Sequence, residues 1–152
     1  MQVGNSPESI KFIDLFSGIG GFRFAAQQSA SKLGLRTECV FSSDIDEEAR
    51  YAYKANFGDF PAGDITLVDE RDIPDHDVLF AGFPCQAFSI IGMGKGFDDT
   101  RGTLFFDIAR ILNEKNPKAF VLENVKQLRG HDGGRTFDII MSTLNDLGYS
   151  VE

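Results

Sequence analysis

The sequence has 152 residues, of which 42% are hydrophobic and 25% charged, and these proportions are typical of one ordinary globular domain. No apolar run approaches the roughly 18 to 20 residues of a membrane span, and the opening MQVGNSPESIK lacks the apolar core of a secretory signal. The net charge of −8 argues against a surface that attracts nucleic acid by its overall field. Any phosphate-binding surface should therefore lie mostly elsewhere. The two cysteines, Cys39 and Cys85, predict neither a disulfide framework nor a metal cluster, and they fit a reducing, cytoplasmic location.

Strand-like and helix-like segments alternate along the chain after a tail that we expect at residues 1–10. Short apolar runs predict strands at 11–16, 37–44, 77–82 and 118–125. Helical periodicity and capping residues predict helices at 21–34, 46–58, 103–114 and 136–148. This alternation predicts an α/β fold over residues 11–152, with a mostly parallel sheet and helices on both faces. The final GYSVE is expected to open a further strand.

Ligands of open parallel sheets bind beyond the carboxyl ends of the strands, and the first two predicted strands end in informative residues. DLFSGIGG (14–21) forms a glycine turn, but Arg23 replaces the third glycine of the dinucleotide fingerprint. Asp44 lies where a ribose-binding carboxylate is expected, whereas Asp46 is expected to cap the following helix. Together the turn and Asp44 indicate an adenosine-type ligand. A turn that merely connects two elements is the alternative.

Three further features follow the later strands. Asp64 in GDIT (63–66) is explained as well by a turn as by a ligand contact. Segment 91–102, with its several glycines, fits either a mobile lid or an ordinary loop. Glu123 ends an apolar strand, and it is either a capping acid or a functional proton donor held partly desolvated.

The stretch FAGFPCQAFS (80–89) places proline directly before a cysteine. Pro84 fixes its own φ and restricts the preceding residue, so the direction of Cys85 is constrained. A buried core thiol is the alternative to a nucleophile. A pair with His76 is disfavoured, because that histidine precedes the strand that Cys85 follows. His131, in the loop RGHDGGR, is expected to be solvated.

Together these motifs resemble the cytosine-5 DNA methyltransferase family from about Lys11 to Gly148. The matching segments, in the order of the family, are DLFSGIGGF, SSDIDEEARYAYKANFG, GDIT, FAGFPCQAFSIIG, RGTLFFDIARIL and FVLENVKQL. The resemblance implies a Rossmann-like S-adenosylmethionine-dependent methyltransferase fold, truncated before its last strands. It also implies a restriction–modification setting near the bacterial nucleoid.

The resemblance implies S-adenosylmethionine as methyl donor, S-adenosylhomocysteine as product and no metal. The cofactor-binding residues that it implies are Phe16, Gly18, Ile19, Gly20, Gly21, Asp44, Ile45, Asp64, Ile65, Pro84 and Leu104. Asp44 would hold the ribose hydroxyls, with Ile45 against the adenine. Members of the family often have glutamate and an aromatic residue at these two positions, so weaker adenosine stacking is expected here.

By the same resemblance, Cys85 attacks carbon 6 of a cytosine flipped out of double-stranded DNA, and Glu123 hydrogen-bonds the base near ring nitrogen 3. Asn124 would support the adjoining loop, and Ser89 would contact the DNA backbone or the target nucleotide.

The resemblance stops before the C-terminal target-recognition half with which the family normally continues. We therefore expect a fragment or one half of a split enzyme, with the missing half in cis or in a separate chain, and little activity of the chain alone. The alternatives are a non-catalytic S-adenosylmethionine-binding subunit, an RNA cytosine methyltransferase of the same family, and an NAD-dependent oxidoreductase. Arg23 and the Pro-Cys-Gln motif count against the last.

Overall fold

The computed structural model describes residues 9–84 and 104–152. The strands are β1 (Ser9–Leu15), β2 (Arg36–Ser43), β3 (Val78–Gly82) and β4 (Ala119–Glu123). The α-helices are α1 (Gly21–Lys32), α2 (Glu47–Phe57), α3 (Leu104–Lys115) and α4 (Arg135–Asp146). Short 3-10 turns occupy Ile65–Leu67, Glu70–Asp72 and Lys126–Gly134. Each predicted strand and helix is present, with ends within two residues of those expected.

The four strands form one parallel sheet in the order β2-β1-β3-β4, which confirms the predicted fold class. In the β1–β2 pair the register shifts by one residue, because Phe12 pairs with Cys39 and Ile13 pairs with Phe41. Val40 is therefore the extra residue of β2. All four strands point the same way, so their carboxyl ends meet at one edge of the sheet.

Helices cover both faces of the sheet. On one face, buried residues of β1 and β3 pack against buried residues of α3 and α4; this core includes Ile13, Leu15, Leu79, Ala81, Phe105, Ile108, Ile111, Leu112, Ile140 and Leu144. On the other face, Phe80 contacts Phe12 edge-on, and it stacks on Phe22 of α1 with 5.4 Å between the ring centroids. The alternation of side chains along β1 sends Ile13 to the first face and Phe12 to the second.

Two predictions at the chain ends were wrong. Ser9 and Ile10, assigned to the tail, belong to β1, because they pair with the first residues of β2; residues 1–8 lie outside the described part. Residues 149–152 do not form a strand. Tyr149 instead anchors this segment, because its hydroxyl donates a hydrogen bond to the carbonyl of Pro117 (2.9 Å) and its ring packs edge-on against Phe120.

Candidate functional site

A cavity of about 440 Å³ lies at the carboxyl edge of the sheet, within the size range of small-molecule sites. Its lining residues are Phe16, Ser43, Asp44, Ile45, Gly63, Asp64, Ile65, Gly82, Phe83, Pro84, Leu104, Glu123, Asn124 and Val125. Every predicted cofactor-binding residue outside the glycine turn is therefore in this lining, although these residues come from separate segments of the sequence. Glu123 and Asn124 share the cavity with them. Cys85, Ser89 and segment 91–102 lie outside the described residues.

The glycine turn runs beside this cavity and connects β1 to α1. Phe16, Gly18 and Gly20 have positive φ angles of 55°, 52° and 96°, and the amide of Gly20 donates to the carbonyl of Ser17 at 2.8 Å. A Cβ on Gly20 would lie 2.1 Å from the ring of Phe57, so glycine is required at this position. Phe16 is unusual, since a bulky residue seldom has a positive φ.

Asp44 connects the end of β2 to the glycine turn. Its Oδ2 accepts a hydrogen bond from the amide of Gly18 at 2.7 Å, and its Oδ1 accepts one from the amide of Asp46 at 2.9 Å. Each carboxylate oxygen has a second lone pair that a ligand hydroxyl can use. Ile45 is 75% exposed on the rim of the cavity.

Asp46 is the N-cap of α2. Its Oδ1 accepts hydrogen bonds from the amides of Glu48 and Ala49. This geometry confirms the prediction that Asp46 caps the helix.

Asp64 belongs both to a turn and to the cavity. Its Oδ1 accepts hydrogen bonds from the amide (2.9 Å) and the hydroxyl (2.8 Å) of Thr66. Asp64 is therefore the N-cap of the turn Ile65–Leu67. The guanidinium of Arg110 also stabilises this turn, because it donates a hydrogen bond to the carbonyl of Ile65 at 2.8 Å. Asp64 therefore both caps a turn and lines the cavity, so the turn and the ligand contact that the sequence left as alternatives are compatible.

Asn124 joins the ends of β3 and β4. Its side-chain amide donates to the carbonyl of Phe83 at 2.7 Å, and its Oδ1 accepts from the amide of Val125 at 2.8 Å. Phe83 directly precedes Pro84, so this pair of hydrogen bonds fixes the backbone that leads to Cys85.

Glu123 projects beside Gly82 at the end of β4. A Cβ on Gly82 would lie 3.4 Å from Oε2 of Glu123, so the glycine leaves room for this carboxylate. The side chain is exposed rather than partly desolvated, which corrects that expectation. The physical reason is its place on a sheet edge, because β4 pairs with β3 and with no other described strand.

The two histidines lie away from the cavity. His76 is buried before β3, where Nδ1 lies 2.8 Å from the carbonyl of Pro74 and burial lowers the pKa of the ring. His131 was expected to be solvated, but it is half-buried, with Nδ1 2.7 Å from the hydroxyl of the buried Thr136. The turn Lys126–Gly134 brings this histidine back onto the start of α4.

Asp14 is a candidate residue that sequence reasoning missed. Its side chain is fully buried, and among the described residues no other side chain hydrogen-bonds either carboxyl oxygen. Burial raises the pKa of Asp14 to about 7, although the backbone amide and the positive charge of Arg23 oppose this rise. The signal was present in the sequence, since Asp14 is the one acid within the apolar run KFIDLF.

Across residues 9–84 and 104–152, no group of three His, Cys, Asp or Glu side chains is placed to hold a metal ion. Within the same ranges, no helix is long and apolar enough to cross a bilayer.

Comparison with known proteins places this chain in a family. The profile described as C-5 cytosine-specific DNA methylase matches residues 10–152. Type II methyltransferase M1.ScrFI of Lactococcus lactis subsp. cremoris is 62% identical over 141 residues, which cover 93% of this chain and 35% of that relative. Type II methyltransferase M.HhaI of Haemophilus parahaemolyticus is 55% identical over 141 residues, which cover 93% of this chain and 41% of the relative.

Solved structures agree with the sequence comparison. Spodoptera frugiperda DNMT2, in a mutant form, superposes with a TM-score of 0.68 at 27% identity, covering 91% of this chain and 41% of the other. S. pombe Dnmt2 methyltransferase gives a TM-score of 0.63 at 25% identity, covering 88% and 41%. The chain thus spans about two fifths of the length of these relatives. Because the profile matches almost all of its residues, the chain belongs to the C-5 cytosine-specific DNA methylase family.

Proposed function

We propose that this chain is the donor-binding and nucleophile-bearing part of a DNA cytosine-5 methyltransferase that uses S-adenosylmethionine. One observation carries the proposal: seven of the eleven residues expected to bind the donor, which come from separate segments, line a single cavity together with Glu123. The names of the curated relatives, which are Type II methyltransferases, support the same reaction.

The cavity fits the chemistry of this donor. Phe16, Ile45, Ile65 and Leu104 offer apolar surface to the flat adenine, and Asp44 offers acceptor lone pairs to the two ribose hydroxyls. When bound, S-adenosylmethionine supplies a methyl group on a positively charged sulfur, which makes that methyl electrophilic.

Cys85 and Glu123 would activate the cytosine. The ring carbon 5 of a pyrimidine is a poor nucleophile, so the Cys85 thiolate first forms a bond from Sγ to carbon 6, which places electron density on carbon 5. Glu123, hydrogen-bonded near ring nitrogen 3, would stabilise the negative charge that this addition creates. After carbon 5 has been methylated, loss of its proton sends an electron pair back into the ring and expels the Cys85 thiolate.

Asn124 and Ser89 would act in support. Asn124 holds the carbonyl of Phe83 and therefore the backbone two residues before Cys85. Ser89 would contact the DNA backbone or the target nucleotide.

The rest of the methyltransferase would cover the free edge of the sheet. Val121 in β4 is 45% exposed, and a groove of about 990 Å³ between β4 and α4 is lined by apolar residues that include Phe120, Leu128 and Met141. An exposed apolar strand edge is unfavourable in water. The relatives are more than twice as long as this chain, so we assign the groove to their remaining part, in cis or as a separate chain. The net charge of −8 implies that the remaining part supplies most of the DNA-binding surface.

Trapping with 5-fluorocytosine tests the proposal, because fluorine at carbon 5 blocks the final elimination and leaves the cysteine bound to DNA. The chain is incubated with S-adenosylmethionine and such DNA, alone and with the C-terminal part of M1.ScrFI that follows the matched region. We expect a covalent adduct in the mixture, its loss in Cys85→Ser and its retention in the matched control Cys39→Ser. Absence of an adduct from every mixture would contradict the proposal, and efficient methylation by the chain alone would contradict the need for a second part.

RNA is tested as an alternative substrate in the same assay, with 5-fluorocytosine RNA in place of DNA. The curated relatives favour DNA, so we expect the DNA adduct to form faster. Preferential trapping on RNA would reverse this assignment.

A further inference from the structure

One arginine of α3 donates hydrogen bonds to three separate acceptors. Nε of Arg110 donates to Oδ1 of Asp107 in the same helix at 2.9 Å, and Nη1 donates to Oε2 of Glu70 at 2.5 Å. Nη2 donates to the carbonyl of Ile65 at 2.8 Å. The side chain of Arg110 is 25% exposed, so water competes little for these bonds. Each nitrogen of the planar guanidinium thus has its own acceptor, and the rigid fork sets the spacing between them.

One of these acceptors belongs to the donor cavity. Ile65 lines the cavity, and so does Leu104, the first residue of the helix that carries Arg110. Arg110 therefore connects two walls of the same cavity, one formed by the turn Ile65–Leu67 and the other by the start of α3. The carbonyl of Ile65 also accepts from the amide of Val68 at 3.1 Å, which closes the turn. The backbone thus shapes the turn, and Arg110 fixes its place against the helix.

The short stretch before this turn has a second anchor at its other end. The amide of Ala62 donates to the carbonyl of Ser42 in β2 at 2.8 Å. Gly63 and Asp64, which line the cavity, lie between this attachment and the hydrogen bond from Arg110. The stretch is therefore held at both ends, by the sheet on one side and by α3 on the other.

We propose that Arg110 is a positioning residue for the adenine end of the donor cavity, where it holds the turn Ile65–Leu67 at a fixed distance from the start of α3. This inference rests on the proposed function, since it takes S-adenosylmethionine as the ligand of the cavity. A flat ring is held by close contact with the cavity wall, and a gap of about 0.5 to 1 Å removes a quarter to a half of the attraction between facing atoms. Loss of the fork should therefore weaken donor binding although Arg110 does not touch the donor.

A direct electrostatic role of Arg110 predicts the opposite result. Its guanidinium forms ion pairs with Glu70 and Asp107, so its removal would leave two carboxylates without their cation. S-adenosylmethionine carries a sulfonium and an ammonium against one carboxylate, and a more negative surface attracts such a net positive ligand more strongly. If charge decided the affinity, Arg110→Met would bind the donor more tightly than the parent.

Lys115 is a matched control on the same helix. Its Nζ donates to the carbonyl of Arg71 at 3.2 Å and pairs with the exposed Asp75 at 3.6 Å, so it also joins α3 to the segment that follows the cavity. Neither partner is among the described residues that line the cavity. Lys115→Met removes these contacts and keeps the apolar stem of the side chain, so it tests whether any loosening of α3 is sufficient.

Calorimetry on the 152-residue chain measures donor affinity in two variants. Arg110→Lys keeps the positive charge without the fork, and Arg110→Met keeps neither. Both should bind S-adenosylmethionine about tenfold more weakly than the parent, since each loses a hydrogen bond from a charged group to the turn. S-adenosylhomocysteine has the same adenine and no sulfonium, so its affinity should fall by the same factor. Lys115→Met should bind both ligands like the parent.

Amide NMR separates positioning from a general loss of stability. In the parent, saturating donor should shift the amide resonances of Gly18 and Ile65. In Arg110→Lys the shift at Ile65 should shrink while the shift at Gly18 persists. Glu70→Gln keeps Arg110 in place and weakens the fork, so an affinity between those of the parent and Arg110→Lys is expected, and it serves as the milder variant if Arg110→Met does not fold.

The outcomes distinguish this inference from the proposed function. Parental affinity in Arg110→Lys would overturn the inference and leave the donor site in place. Tighter donor binding by Arg110→Met would overturn it in favour of charge, and an equal loss in Lys115→Met would overturn it in favour of general contact between α3 and the turns. If the parent binds neither donor nor product, the donor site itself fails, and the role of Arg110 fails with it.

Discussion

Replacing Asp14 with asparagine is expected to stabilise the fold at neutral pH and above. In the folded chain the pKa of this carboxyl is raised from 3.8 to about 7, so between these values the folded state holds a proton that the unfolded state has released. The free energy of unfolding of the parent therefore falls as the pH rises from 4 to 7. A displacement of about three pKa units corresponds to about 4 kcal/mol. Asparagine keeps the shape of the neutral carboxyl but cannot ionise, so the variant avoids this loss.

Urea unfolding at a series of pH values between 4 and 8 measures the effect. Far-UV circular dichroism is a suitable signal, since the chain has no tryptophan. Asp14→Asn should match the parent at pH 4 and exceed it by a margin that grows to about 4 kcal/mol at pH 8. A margin independent of pH, or a variant less stable than the parent at pH 8, would refute the assignment of a neutral buried Asp14.

Asp77→Asn is the control of opposite sign. Its carboxylate accepts hydrogen bonds from the ammonium of Lys118 (2.7 Å) and the amide of Lys11 (3.0 Å), and these lower its pKa. The stability that Asp77 contributes is thus present above its unfolded pKa and is lost as the pH falls through its folded pKa. The control variant should therefore lose stability at pH 7 and recover the parental value in acid.

Three further substitutions test local parts of the structure. Gly20→Ala should cost about 1 to 3 kcal/mol of unfolding free energy and weaken donor binding, because the new Cβ meets the ring of Phe57 at a positive φ; a normal melting temperature and donor affinity would show that the turn adapts. Asp46→Ala removes the N-cap of α2 and should lower stability by about 1 kcal/mol in thermal unfolding, whereas an unchanged midpoint would mean that the cap contributes nothing. Tyr149→Phe should cost about 1 kcal/mol in urea unfolding through its lost hydrogen bond to Pro117, and equal stability would argue against that anchor.

The sequence was sufficient for the fold and for the edge of the sheet that forms the cavity. Parallel strands place their carboxyl ends along one edge of the sheet, so residues at the ends of different strands, such as Asp44 and Glu123, line the same cavity. The capping role of Asp46 was also predictable, because an acid just before a helix with acids in its first turn is a typical N-cap. These features depend on local pattern and on chain direction.

The features that sequence reasoning missed depend on how elements pack. Whether Asp14 is buried is decided by what α1 and α2 place over β1, and alternation along a strand does not give this. His131 was missed because a glycine-containing turn folds back onto Thr136 rather than extending into solvent. The exposure of Glu123 depends on which strand forms the sheet edge, a property of the strand order.

The register shift in β2 explains how nearby residues of one strand contact a polar cluster on one side of the sheet and the apolar core on the other. In an uninterrupted strand, residues two apart face the same side, so Cys39 and Phe41 would share a layer. The extra residue Val40 reverses the alternation between them: Cys39 reaches the hydroxyl of Tyr53 on the polar side, and Phe41 packs against the apolar core. The alternation that decides which side of the sheet a position faces is therefore reversed after Val40. Substitutions in β2 must be chosen with one pattern before this residue and the opposite pattern after it.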